Sequence, residues 1–236
     1  MICPKCQKPY FFIDKKNASL SSCLKCSYSA DFKQPEYSNY HKDLYTAKKY
    51  VRNIKTDPQM KQIIKSLDIH PMDNVLDIGC GVGDYTREIR NLTQKVTGLD
   101  ISVKAAKNKY PDVNFNNYDC NAPLPFPDNS MDKIVSINLI EHLVSFETFL
   151  SECQRVLKPG GKIALTTANL DFVLHDHFFD RTHVHEWTLS RFKNIISHYF
   201  SVQVLEKSSS MFNYYPLNFI TTKFLKPDLL FIGTKK

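Results

Sequence analysis

The chain has 236 residues, 42% of them hydrophobic and 23% charged, which suits one full-sized α/β domain plus a small appendage and excludes a disordered chain. The net charge of +7 lies wholly in residues 1–70, where thirteen Lys/Arg face six Asp/Glu; residues 71–236 carry eighteen of each sign. No apolar run is long enough to cross a bilayer, and a cysteine motif that starts at Cys3 leaves no room for a secretory leader, so a cytoplasmic protein is expected. A basic stretch beside a neutral domain reads as a contact for RNA, DNA or anionic lipid, or as a solvated lysine-rich helix.

Residues 1–34 carry Cys3, Cys6, Cys23 and Cys26, spaced as C-P-K-C, sixteen residues, C-L-K-C. Each pair can sit on a tight turn that aims two sulfurs at one point, and two such turns complete a tetrahedral thiolate site for zinc. Strands are expected at 10–13 and 27–32, with a turn at 14–17. Four thiolates leave no position open for water, so this zinc ribbon is expected to hold a structural ion. A disulfide disagrees with a reducing compartment, and a redox C-x-x-C would adjoin a βαβ unit. Cys80, Cys120 and Cys153 stand alone.

Residues 35–70 read as a helical connector, with a helix over 43–67 that restarts at Asp57-Pro58. From 71 to 236 strands and helices alternate. Strands are expected at 74–78, 95–99, 113–117, 133–137, 162–167, 202–205 and 229–232. Helices are expected at 85–92, 102–109 (capped by Ser102), 146–157 and 188–199, with a turn at 158–161. The alternation predicts a doubly wound, Rossmann-like, seven-stranded and mostly parallel sheet.

The first strand-to-helix junction reads Asp77-Ile78-Gly79-Cys80-Gly81-Val82-Gly83. Three glycines at alternate positions let the backbone turn sharply and come close to a ligand. The spacing is neither that of a dinucleotide loop nor, lacking Lys-Ser/Thr, that of a phosphate-cradling P-loop. Asp100, followed by Ile101, ends the second strand, where a carboxylate can accept from both hydroxyls of a ribose.

From about 74 to 167 these features resemble the class I S-adenosylmethionine-dependent methyltransferases, in particular the group that includes quinone-biosynthesis enzymes. The resemblance implies that Asp77, Gly79, Cys80, Gly81 and Gly83 form the cofactor loop, with the acid serving the methionine amino group through it. It implies that Asp100 is the ribose acid and that Asp119, with Cys120, meets the adenine amine. Leu124-Pro125-Phe126-Pro127-Asp128-Asn129-Ser130-Met131-Asp132 matches the family stretch that follows. Ile137-Asn138-Leu139-Ile140-Glu141-His142-Leu143 matches the segment that lines cofactor and reaction site, and Leu157-Lys158-Pro159-Gly160-Gly161 the turn before the fifth strand. S-adenosylmethionine is the cofactor implied, and methyl transfer in line with the sulfonium bond the reaction.

His142 is a candidate general base where the fourth strand opens onto the site, and equally a helix-start residue packing beneath the cofactor. Glu141 either takes part or hydrogen-bonds nearby backbone. The stretch 169–187 holds His175, His177, His183, His185 and the only tryptophan, Trp187. It reads as a lid whose aromatics stack on an acceptor, as a site for a second metal, or as scaffold with His183 near the site. The aromatic stretch 211–220 reads as acceptor wall, dimer surface, membrane contact or core. The acceptor is expected to be a small molecule (quinone precursor, lipid or sugar) or an RNA base. The layout is similar to an rRNA guanine-N1 methyltransferase, which also begins with four zinc ligands. A non-catalytic cofactor-binding partner protein is the remaining reading, and the oligomeric state is left open.

Overall fold

The structure is a computed structural model that describes residues 11–13, 21–23, 57–171, 183–185, 187–208 and 228–236. Two short strands, β1 (Phe11–Ile13) and β2 (Ser21–Cys23), pair antiparallel with Phe11 opposite Cys23. The first agrees with the strand expected at 10–13. Cys3, Cys6 and Cys26, and the strand expected at 27–32, lie outside the described residues.

Helix α1 (Pro58–Leu67) begins where Asp57-Pro58 signals a start: proline sits at the first turn and the Asp57 side chain accepts from Gln59 N. Met60, Ile63 and Leu67 recur at helical spacing and are buried. The sheet then begins at its centre with β3 (Val75–Ile78) and moves outward through α2 (Asp84–Arg90), β4 (Val96–Asp100), α3 (Lys104–Lys109) and β5 (Asn114–Asn117). The chain returns to the other side of β3 with β6 (Met131–Ile137), then α4 (Phe146–Val156), β7 (Leu157–Ala168), α5 (Leu189–Tyr199), β8 (Phe200–Ser208) and β9 (Asp228–Lys235). The spatial order is β5-β4-β3-β6-β7-β9-β8, parallel as far as β7, with β9 antiparallel to both its neighbours. The expected seven-stranded, mostly parallel sheet is present.

Successive residues of the inner strands feed opposite cores, as the two-residue strand period requires. Leu76, Ile78, Ile134, Leu165 and Phe231 join the core under α4 and α5; Val75, Val135, Ala164, Leu230 and Ile232 join the core under α1, α2 and α3. All four residues of β3 are buried, which both-face coverage of a central parallel strand demands.

Three local expectations are corrected. Ser102 does not cap α3: the helix starts at Lys104, so the cap position is Val103, with no side-chain bond, and Ser102 lies one residue earlier, its N–H donating to Asp100 Oδ1 at 2.9 Å. The turn expected at 158–161 lies within β7. Leu157 pairs with Met131 and Lys162 with Lys133, so extra residues of β7 bulge out around Gly160, whose φ is +74°. The two last strands run longer than their apolar runs, because each completes the other's ladder from Phe200↔Lys235 to Ser208↔Asp228.

Candidate functional site

The strand order reverses between β3 and β6, and in an open α/β sheet a ligand crevice lies outside the strand ends at that point. The loop after β3 forms one wall. The N–H groups of Gly79 and Cys80 both donate to the Leu99 carbonyl, at 2.8 and 2.9 Å, which folds the loop back onto the end of β4. Gly83 caps α2 at φ +82°, and a Cβ there would stand 2.5 Å from Phe115 Cζ; only glycine meets both demands.

Asp77 is buried beneath this loop and accepts a 2.6 Å hydrogen bond from Thr86 Oγ1. Burial pushes its carboxyl up to about 7; the Thr86 bond lowers it and the charge of Asp100 raises it. Asp100 accepts from Gly81 N at Oδ2 and from Ser102 N at Oδ1, each at 2.9 Å. One carboxylate thus ties the glycine loop to the end of β4. Ile101, next to it, is half-buried.

Asp119 Oδ1 accepts from both the backbone and side-chain amide of Asn121, and Asn121 Oδ1 accepts from Val144 N at 2.8 Å. These bonds join the turn after β5 to the turn after β6. Cys120 is buried, and its thiol is pushed up to about 12 by burial and by the carboxylates of Asp100 and Asp119, against the Gly79 backbone. Burial raises the Cys80 thiol further. Neither thiol is a nucleophile near neutral pH.

On the facing wall, Asn138 sits at φ +50° and fastens β6 to β7. Its N–H donates to the Thr166 carbonyl, and its Oδ1 accepts from Thr166 Oγ1 at 2.8 Å. Leu139 lies against the glycine loop: a Cβ on Gly79 would be 3.0 Å from Leu139 Cβ. A single 3₁₀ turn (Ile140–His142) follows.

That turn brings together the three residues singled out as catalytic candidates. Ligand atoms of Glu141, His142 and His183 all lie within 4.8 Å of one another, and the two imidazoles meet edge to face at 4.8 Å between centroids. The clamp is backbone: the Glu141 carbonyl accepts from Val184 N at 2.7 Å and His185 N at 3.0 Å. The Glu141 carboxyl is buried, accepts from Thr167 Oγ1 at 2.8 Å, and is pushed up to about 8 by burial. His142 and His183 are half-buried.

His183 and His185 meet different partners: His183 packs on His142, His185 on Phe146. His185 is buried edge-on to Phe146 at 5.0 Å, and burial drives its imidazole down to about 4. Trp187 is fully buried against Phe146 and Phe192, so it is core and does not stack on an acceptor. His175, His177 and the stretch 211–220 lie outside the described residues.

Several residues that shape the site escape sequence reading. Thr86 and Thr167 orient the two buried carboxylates; Thr167 could be suspected as a polar residue ending an apolar strand. Arg155 bonds the carbonyls of Leu124 and Phe126 and the carboxylates of Asp128 and Glu152, which fixes the stretch 124–128. Tyr85 OH donates to Asp57, so the first turn of α1 rests beside the first turn of α2.

Residues 76–165 match the protein family described as a methyltransferase domain. Fold and match point the same way: this stretch, on a Rossmann-like α/β sheet, is similar to methyltransferase domains. The chain is 36% identical over 107 residues to demethylmenaquinone methyltransferase of Tropheryma whipplei, covering 43% of this chain and 44% of that protein. It is 42% identical over 106 residues to sterol 24-C-methyltransferase of Gibberella zeae, covering 41% and 28%. It thus spans less than half the length of these curated relatives. Among solved structures, the YcgJ protein of Bacillus subtilis shares the fold with a TM-score of 0.61 at 20% identity, covering 75% of this chain and 98% of that one. A chain of the complex between the Haloferax volcanii Trm112 methyltransferase activator and a methyltransferase aligns with a TM-score of 0.64 at 20% identity, covering 75% and 88%.

Proposed function

We propose that the chain is an S-adenosylmethionine-dependent methyltransferase whose acceptor is a small molecule. The observation that carries this reading is Asp100, a carboxylate at the end of β4 bonded to Gly81 N and so held beside a three-glycine loop over a buried acid. S-adenosylmethionine supplies a methyl group already activated on a sulfonium, so the protein's task is alignment. Asp100 takes the ribose hydroxyls, with Ile101 beside it against the adenine. Asp119 and Cys120 border the adenine on the β5 side. Gly79, Cys80, Gly81 and Gly83 pass over the methionine portion, above Asp77. Asn138 holds the facing wall in place, and Glu141, His142 and His183 stand on the acceptor side.

Relatives named for demethylmenaquinone and sterol substrates support a small, ring-bearing acceptor. A second reading, an RNA base, is favoured by the thirteen Lys/Arg within residues 1–70. In either case Cys3, Cys6, Cys23 and Cys26 are proposed to hold one structural zinc, on the strength of their spacing. Among the described residues no helix is long and apolar enough to cross a membrane.

The test is calorimetric binding of S-adenosylmethionine, followed by transfer of its labelled methyl to fractionated cell extract with and without ribonuclease. Asp100→Ala is expected to weaken binding about 10- to 100-fold, because it removes charge-assisted hydrogen bonds. Unchanged affinity would sink the ribose assignment. Label in ribonuclease-sensitive material would replace the small-molecule reading with the RNA one.

A further inference from the structure

We infer that Glu141, His142 and His183 form a binding site for one divalent metal ion, open toward an acceptor that carries oxygen ligands. This rests on the reading of the site as a methyltransferase and narrows the acceptor to an oxygen-bearing class. The donor set is two imidazoles and one carboxylate, whose ligand atoms lie within 4.8 Å of one another. In a tetrahedral site with metal–ligand distances of about 2.1 Å, donor atoms stand roughly 3.4 Å apart, so small side-chain rotations close the set. Two imidazoles and a carboxylate suit a first-row divalent ion and leave the remaining positions for water or substrate.

The surroundings are built as metal sites are built. Thr167 Oγ1 donates to the Glu141 carboxylate at 2.8 Å, an outer contact that fixes the ligand's orientation. The Glu141 carbonyl accepts from Val184 N and His185 N, so the segment bearing His183 is locked to the turn bearing the other two donors. The Glu141 carboxyl is buried, and the groups that face it include its own backbone, Thr167, the carboxylate of Asp228 and the backbone of Ala168. A divalent ion held here sets a positive charge against the two acids. His142 and His183 are half-buried, which leaves one side of the cluster accessible.

Position gives the site its use. Leu139, two residues before Glu141, lies against Gly79 of the glycine loop, so the cluster stands one short turn from the wall that faces the cofactor. Open coordination positions there recruit hydroxyl or carboxylate oxygens. A vicinal diol or hydroxy-quinone pattern, with two oxygens in reach of one ion, is the class they fit best.

The experiment titrates Mn²⁺ into the full chain, freed of loosely held metal by a chelator, and reads free Mn²⁺ by electron paramagnetic resonance. Manganese prefers oxygen and nitrogen donors, so the four cysteines are silent to it. One Mn²⁺ per chain is expected to bind. His142→Ala and His183→Ala should each weaken it at least ~10-fold, and Thr167→Val by about 10-fold. Each variant is checked by its affinity for S-adenosylhomocysteine, which needs the fold but not the ion. Wild type that leaves Mn²⁺ free, or variants that keep both ligands at wild-type affinity, would overturn the metal site. Manganese binding without cofactor binding would instead keep the metal site and remove the methyltransferase reading.

Discussion

At the scale of single residues, the site is organised by carboxylates that differ in exposure and partner. Asp77 is sealed under the loop and its carboxyl is pushed up to about 7 from an ordinary 3.8, chiefly by burial. The folded chain therefore holds this proton more tightly than the unfolded chain does. Its contribution to stability is full below about pH 4 and is lost as pH rises through about 7. Asp77→Asn should flatten that slope, a change on the order of 4 kcal/mol across the window. Melting curves of the two proteins between pH 5 and 8 decide it; parallel curves would show that Asp77 does not carry the slope. Gly83 is the second sensitive position. Gly83→Ala combines a left-handed φ with a Cβ 2.5 Å from the buried Phe115 ring, and should cost roughly 2–5 kcal/mol in urea unfolding. Adding Phe115→Leu should recover part of the loss. No recovery would place the cost in the backbone alone.

At the scale of elements, α4 shows how a short stretch of sequence sets a wall of the site. Ser145 caps it by accepting from Thr148 N, and Phe146, Phe149, Leu150, Cys153 and Val156 form one buried stripe. Arg155, on its last turn, gathers the stretch 124–128. Ser145→Ala should lower stability by about 1 kcal/mol, and Leu150→Ala by roughly 2–5 kcal/mol; chemical denaturation of both variants measures this. A Leu150→Ala loss no larger than the cap's would mean that the neighbours collapse into the vacated space.

These elements were legible because their signals are local: a helical stripe, a proline after Asp57, glycines bounded by an apolar strand. Asp77, Gly79, Gly81, Gly83 and Asp100 could be picked out for the same reason, since strand, turn and helix follow within a few residues. The meeting of His142 with His183 was not legible as geometry. It depends on backbone bonds from Glu141 to Val184 and His185, across some forty residues that sequence spacing does not relate. The splitting of His183 from His185 likewise depends on the Phe146–Trp187 core that draws His185 in. Ser102 misled because the helix starts two residues after it, at Lys104, so that Val103 holds the cap position.

At the scale of the whole molecule, ligand and fold are linked by mass action, because the crevice walls come from both halves of the sheet. If the site binds S-adenosylmethionine, a hundredfold excess over its dissociation constant should raise stability by about 2.7 kcal/mol. The same concentration should raise Asp100→Ala by only about 0.4–1.4 kcal/mol, given its 10- to 100-fold weaker binding. Thermal melts with and without ligand read this directly, and equal shifts for both proteins would separate Asp100 from binding.

The position of β9 between β7 and β8 sets an order on biosynthesis. When the ribosome has made residues up to 208, β8 exists but its only neighbour in the sheet does not. The open edge of β7, with Ile163 and Leu165 on one face and Ala164 on the other, stays available to any passing strand until residues 228–235 emerge and pair on both sides at once. A nascent chain halted before that point is therefore a substrate for chaperones, and a stalled or truncated product is a seed for aggregation rather than a smaller enzyme.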